Sequence, residues 1–367
     1  MKMSMRTHWK NNMNFLDDRR NYRKLDPIDL YESLGKFGHQ FDSGWHTAEF
    51  VNLDFDPDKI KNIVFTGMGG SNLAAEIIRS LAPYILKVPF EIVANYRLPA
   101  YADKHTLIIL SSYSGNTEEI ISCAQDAGMR SCPSVCLTTG GKLKEVALGQ
   151  QIPLIEMDEK FNPSRSPRAG VCLSLGAIIG LLLRLNPLAK KYFIQKDITQ
   201  TIERVLDMVN IDKDTPDNPA KSLAAKHKGQ GIIFLSANHL SGIGHVFGNY
   251  LNETAKTFAV HFDFPDLNHH LLEGFTFPAS LKDDLSFIIL NSGNFPEIIQ
   301  KRARITRDIL LKQKYRVSVI KPEATDTVLQ VFESLVFLVM FSYYLGIVNK
   351  VNPAINPWVD YLKKELH

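Results

Sequence analysis

Apolar and polar positions along this chain come in blocks, and the spacing inside each block predicts the element it forms. After a polar start, residues 27–49 carry tryptophan and phenylalanine at helical spacing on one side, which predicts an N-terminal helical segment over residues 1–49. Short apolar runs follow: N-I-V-F-T-G at 62–67, F-E-I-V-A-N at 90–95, T-L-I-I-L at 106–110 and S-V-C-L-T-T at 134–139. Between the first two lies N-L-A-A-E-I-I-R-S-L at 72–81, which has helical spacing. Short strands alternating with helices predict parallel βαβ units, an α/β fold with a mostly parallel sheet flanked by helices on both faces.

The second half repeats the plan. G-I-I-F-L-S at 231–236 enters a glycine-bearing loop and a helix containing Tyr250–Lys256, L-S-F-I-I-L at 285–290 forms another strand, and R-V-S-V-I-K at 316–321 a further one. Ser292-Gly293-Asn294 echoes Ser114-Gly115-Asn116. The chain therefore reads as two tandem α/β domains, 50–211 and 223–350, with a helical tail at 351–367. The polar stretch 212–222, which holds Pro216 and Pro219, is expected to be the linker.

Composition sets bounds on this picture. At 367 residues the chain exceeds what one hydrophobic core covers, and 45% hydrophobic with 22% charged residues is the balance of a soluble globular protein. A net charge of +3 without a basic block gives no nucleic-acid footprint. The four cysteines lack Cys-x-x-Cys spacing and read as thiols of a reducing cytoplasm. The first residues lack the apolar core of a signal peptide, and the apolar runs at 173–185 and 335–348 read as buried helices rather than membrane spans. A cytoplasmic protein with neither membrane nor nucleic acid as partner is expected.

Two loops carry candidate chemistry. G-M-G-G-S at 67–71 follows the first strand, but a dinucleotide fingerprint would place a third glycine where Asn72 stands and an acidic residue where the next strand ends in Asn95. NAD is therefore not expected. What remains is a strand delivering glycines and a serine to a helix start, where free N–H groups and the positive dipole end favour an anion. S-S-Y-S-G-N-T-E-E at 111–119 offers the same arrangement with more hydroxyls. Either loop alone could be a helix cap. Two of them at strand C-termini point to a phosphorylated small ligand.

Taken in order, G-M-G-G-S, S-Y-S-G-N-T-E-E, T-T-G-G-K-L (138–143), S-P-R-A (166–169), L-N-E-T-A-K (251–256) and L-N-H (267–269) resemble the bifunctional phosphoglucose/phosphomannose isomerase family, built from two sugar isomerase (SIS) domains. The resemblance runs from about residue 27 to the C-terminus. It implies interconversion of glucose 6-phosphate, and of mannose 6-phosphate, with fructose 6-phosphate through an enediol, without metal or other cofactor. It also implies the roles. Glu253 is the base that moves the proton between C1 and C2, His269 the acid/base that opens the ring, and Arg168 the cation on the enediolate. Gly69, Gly70, Ser71, Ser112, Ser114 and Thr117 hold the phosphate. The family's histidine comes from a neighbouring subunit, so a homodimer with shared active sites is implied.

The chain departs from the family pattern in three places. After L-N-H it has His270-Leu271 where Asn-Glu is common. In N-P-A-I-N-P-W (352–358), Ala354 takes the place of a family threonine linked to the choice between glucose and mannose substrates. Lys363 and Lys364 both compete for the lysine of the last helix, with Lys363 preferred. These departures leave room for an isomerase of another phosphosugar, or for a sugar-phosphate sensor without catalysis. The presence of base, histidine and arginine together favours the enzyme. A helix-turn-helix regulator is not expected, because roughly the first 50 residues are too short and poorly patterned for one.

Overall fold

The computed structural model describes residues 11–366. The chain forms two compact units: one is Glu32–Glu203, and the other joins the residues up to Tyr31 with those from Arg204 onward. Each unit is built on one all-parallel sheet.

In Glu32–Glu203 the strands are β1 (Asn62–Thr66), β2 (Phe90–Val93), β3 (Thr106–Ser111), β4 (Ser134–Thr138) and β5 (Leu154–Glu156), in the order β2-β1-β3-β4-β5. Its main helices are α1 (Phe37–Glu49), α2 (Leu73–Ile85), α3 (Glu118–Met129), α4 (Gly141–Gly149) and α5 (Val171–Leu185). Every residue of the central strand β3 is buried, which is why T-L-I-I-L reads as an unbroken apolar run. The chain leaves β1 toward β2 on one side and continues from β3 toward β5 on the other. Right-handed crossovers then put α2 on one face and α3 and α4 on the opposite face. The two directions part at the C-terminal ends of β1 and β3, where open α/β sheets leave a crevice.

The other unit contains β6 (Gly231–Ser236), β7 (Ala259–Asp263), β8 (Leu285–Leu290) and β9 (Arg316–Ile320) in the order β7-β6-β8-β9. This matches β2-β1-β3-β4 strand for strand, so the repeat read from the sequence is a repeat of topology. Among the described residues the second sheet has no counterpart of β5. Its helices include α6 (Pro219–His227), α7 (Ser241–Glu253), α8 (Leu267–His270), α9 (Glu297–Lys312), α10 (Thr327–Val348) and α11 (Pro357–Leu366). α10 and the stretch Pro167–Leu185 that contains α5 are long and apolar enough to cross a membrane, but 94% and 89% of their apolar windows are buried inside the fold.

Several boundaries differ from the sequence reading. The stretch 212–222 is not a solvated linker. Lys221 is 1% exposed, and its Nζ donates to the carbonyls of Ile211 (3.0 Å) and Lys213 (2.8 Å). The buried Asn218 caps α6 by accepting from the amides of Ala220 and Lys221. Asn218 and Lys221 bond backbone groups inside the fold while Asp212, Asp214 and Asp217 are exposed, so polarity alone does not signal a linker. The expected N-terminal segment 1–49 is divided at Tyr31. Its described first part belongs with the second sheet, where the Tyr343 hydroxyl donates to Asp26 at 3.0 Å. The helix expected to contain Tyr250–Lys256 ends at Glu253, because Lys256 takes a left-handed conformation at φ 49°. β5 and β7 are edge strands that the sequence reading does not find.

His227, at the end of α6, is fully buried with Nδ1 2.8 Å from the Ser286 hydroxyl and Nε2 2.9 Å from that of Ser318. Burial, aided by the charges of Lys226 and Arg316, pushes the imidazole from its ordinary 6.5 down to about 3. A histidine depressed in the folded state is protonated first in the unfolded chain. The stability it contributes is therefore complete above 6.5 and is lost as pH falls toward about 3. The urea midpoint is expected to fall between about pH 7 and about pH 4, and His227→Gln to make that fall shallower. An unchanged slope in the variant would remove His227 from the acid response.

Candidate active site

The crevice between β1 and β3 is lined by the two loops singled out in the sequence. In the first, Gly67–Ser71 leads through a short 3-10 turn, Gly69–Asn72, into α2. In the second, Ser112–Thr117 leads into α3, with Thr117 at the N-cap in an extended conformation. The Thr117 side chain does not cap the helix. Its hydroxyl lies 2.8 Å from that of Ser112. The loop's hydroxyls are thus tied to one another, and the first amides of α3 are not consumed by the threonine. Ser114 is exposed, and its hydroxyl accepts from the Asn116 amide at 3.3 Å.

Gly115 sits at φ 71°, and a Cβ there would come within 1.8 Å of the Gly140 carbonyl oxygen. The T-T-G-G loop after β4 closes on this glycine. The Leu143 amide donates to the Gly115 carbonyl at 2.9 Å and the Thr139 hydroxyl to the Tyr113 carbonyl at 2.7 Å.

Tyr113 joins the two cradle loops to the turn that carries Arg168. Its amide donates to the Ser71 hydroxyl at 2.9 Å, and its own hydroxyl accepts from the Asn162 amide at 2.6 Å. Asn162 also donates to the Ser166 carbonyl at 3.0 Å. Burial pushes the Tyr113 hydroxyl well above the usual tyrosine range, so it stays protonated as a structural group. Arg168 lies in the turn Pro167–Gly170, directly before α5, and is 5% exposed. A Cβ on Gly70 would stand 2.9 Å from the Arg168 backbone nitrogen, so only a glycine lets the two turns approach this closely. Arg165, in the same loop, is exposed. Of the two arginines, only Arg168 is drawn into the fold.

Gly70, Ser71, Ser112, Ser114, Thr117 and Arg168 are therefore gathered in one neighbourhood, with Gly69 exposed at its rim. Their hydroxyls are not equivalent. Ser112 is fully buried and Ser71 is 7% exposed, Thr117 is half-buried with its hydroxyl on that of Ser112, and only Ser114 is exposed.

The other predicted residues belong to the second unit. Glu253 is the last residue of α7 and is half-buried. Its Oε2 accepts from the Asn356 side-chain amide at 2.9 Å. Lys256 donates to the main-chain oxygens of Glu253 (2.5 Å) and Ile355 (2.6 Å), so the segment 352–356 is fastened to the turn after the helix. Ala354, in the threonine's place, is 8% exposed within that segment.

His269, expected on a loop, lies instead on the one-turn helix α8, where it is exposed. The neighbouring His270 faces Asp266, the residue just before this helix, at 3.5 Å, which separates the two imidazoles by environment. Lys363 and Lys364 are both exposed on α11, so burial does not choose between them. Asn356, Tyr113 and Asn162 escape the sequence reading, because nothing local marks an amide or a phenol that will bond across the fold.

Comparison with known proteins adds three findings. Residues 216–366 match the family described as the bacterial phospho-glucose isomerase C-terminal SIS domain. Two curated relatives carry the name bifunctional phosphoglucose/phosphomannose isomerase. That of Caldicellulosiruptor bescii is 27% identical over 342 residues, 92% of this chain and 98% of its own. That of Aquifex aeolicus is 26% identical over 283 residues, 77% of this chain and 81% of its own. A solved structure, a hypothetical protein from Thermus thermophilus, aligns with 100% of this chain and 96% of its own at a TM-score of 0.67 and 15% identity, a likeness of fold alone.

Proposed function

We propose that the chain is a member of the bifunctional phosphoglucose/phosphomannose isomerase family, built from tandem SIS domains, and interconverts glucose 6-phosphate and mannose 6-phosphate with fructose 6-phosphate. The observation that carries this reading is the cradle at the β1/β3 crevice, where the exposed Ser114 hydroxyl, the Ser112–Thr117 hydroxyl pair and a helix start that Thr117 does not cap share a neighbourhood with the buried Arg168.

In this reading Ser114, Thr117 and the first amides of α3 hold the 6-phosphate, while Gly69, Gly70, Ser71 and Ser112 shape the surrounding backbone. Binding energy from the phosphate is used to place C1 and C2. His269 opens the ring by moving a proton between the ring oxygen and the anomeric hydroxyl. Glu253 then takes the proton from C1 of the open-chain ketose. The C2 oxygen gains the electron pair as an enediolate, and Arg168 stabilises it. Return of the proton to C2, with the C1 hydroxyl proton passing to the C2 oxygen, gives the neutral aldose. The face on which C2 is protonated decides glucose or mannose. Lys363 is the preferred cation of the tail helix. His269 acts across a homodimer, and the protein works in the cytoplasm without a cofactor.

The test is conversion of fructose 6-phosphate by the purified chain with chelator present, glucose 6-phosphate and mannose 6-phosphate being measured separately. Formation of either supports the isomerase. Binding of the phosphosugar without turnover would favour another phosphosugar substrate or a sensor, a reading to which Ala354 in place of the threonine lends weight. Ser114→Leu is expected to raise KM for fructose 6-phosphate about tenfold or more with a smaller change in kcat, because it blocks the phosphate end and leaves the reacting carbons' partners intact. An unchanged KM would take Ser114 out of the phosphate site.

A further inference from the structure

A glutamate at the end of a helix has three side-chain torsions to fix before it can act as a base. A carbon-bound proton is transferred only when the carboxylate oxygen is held within hydrogen-bond reach in the right orientation. The structure supplies a device for this that lies outside the motif containing Glu253. The Asn356 amide donates to Glu253 Oε2 at 2.9 Å from 103 positions further along the chain.

The backbone around that contact is pinned on both sides. Lys256 bridges the carbonyls of Glu253 and Ile355, and Asn349 donates to the Thr257 hydroxyl at 3.0 Å. Asn356 is also where α11 begins, its carbonyl accepting from the Asp360 amide at 2.9 Å. One residue thus touches the proposed base with its side chain and starts the helix that carries Lys363 with its backbone.

We infer that Asn356 is the positioning residue of the base: its amide holds one carboxylate oxygen of Glu253 and so sets the direction in which the carboxylate meets the proton of the sugar carbon. The choice of an amide is chemically apt. It donates a hydrogen bond, cannot exchange a proton with the base at neutral pH, and adds no charge to compete with the enediolate. The inference rests on the reading of Glu253 as the base, and goes beyond it by assigning the side chain that aims it.

The experiment measures kcat, KM and the pH profile of fructose 6-phosphate turnover for the full chain and for Asn356→Ala, Asn356→Gln and Asn356→Asp. The alanine variant is expected to lose about 100-fold in kcat with KM changed by no more than about twofold, because a misaimed base costs rate and the phosphate grip remains. Glutamine, which keeps the donor on a longer arm, should recover part of that loss. Aspartate matches asparagine in size, so it leaves no cavity where alanine would. It sets a second carboxylate against Glu253 and should move the acid limb of the kcat profile to higher pH. A purely structural residue would move neither the kcat-to-KM split nor that limb. Wild-type rates and limbs in the alanine and aspartate variants would overturn the assignment while leaving Glu253 in place. Absence of turnover in the wild type would instead remove the reading of Glu253 as base, and this inference with it.

Discussion

Glu253→Gln is expected to lower turnover of fructose 6-phosphate about a thousandfold or more while phosphosugar binding, read by calorimetry, stays within about threefold. The substitution is close to isosteric, and a glutamine oxygen can still accept from the Asn356 amide that lies 2.9 Å from Oε2. What disappears, if Glu253 is the base as proposed, is the capacity to take a proton from carbon. In the proposed reading the phosphate is held by Ser114, Thr117 and the first amides of α3 and not by Glu253, so binding is expected to survive the change. A second readout follows from the same chemistry. A base that shuttles the proton between C1 and C2 exchanges it with solvent, so incorporation of deuterium from heavy water should cease with turnover. A variant that retains turnover or exchange would move the base to another residue.

The parts of this site that are legible in the sequence are those whose determinants are local. The strands β1, β3, β4, β6 and β8 are buried almost throughout, so each reads as a continuous apolar run. The loops after β1 and β3 declare themselves within a few residues, since glycines and hydroxyls between a strand and a helix are visible locally. Of the four edge strands, β2 and β9 still show a short run that can be read, whereas β5 and β7 do not. β5 spans three residues, and four of the five residues of β7 are only half-buried, so neither shows an apolar run. The stretch 212–222 misleads for a related reason. Its polarity serves Lys221 and Asn218 in bonds inside the fold, and composition alone does not distinguish a bonded polar group from a solvated one. Asn356 is invisible to motif reading because its partner lies 103 residues away. Motifs supply candidate residues, and tertiary structure is needed to find the side chains bonded to them.

Gly115→Ala is the change expected to cost the phosphate site most, and a matched control makes the cause readable. Gly115 and Gly229 adopt nearly the same left-handed backbone, φ 71° and 78°, so alanine at either position carries a similar intrinsic penalty of about 1–2 kcal/mol. The space around them differs. A Cβ at Gly229 meets nothing within 4 Å, whereas one at Gly115 would lie 1.8 Å from the Gly140 carbonyl oxygen and 2.9 Å from the Thr138 hydroxyl. Alanine at 115 must therefore push the cradle away from the T-T-G-G loop, breaking the 2.9 Å bond from the Leu143 amide to the Gly115 carbonyl and shifting Ser114 and Thr117 on either side. Gly229→Ala should lose only the backbone term, read as a modest fall in the urea midpoint with unchanged KM. Gly115→Ala should lose more stability and raise KM for fructose 6-phosphate about tenfold or more, with inorganic phosphate weakened as an inhibitor by a comparable factor. The two readouts must move together if the loop's shape is what holds the phosphate. A Gly115→Ala enzyme that is destabilised yet binds phosphate and substrate as the wild type does would show that Ser112–Thr117 is a turn and helix start, and that the anion is held elsewhere.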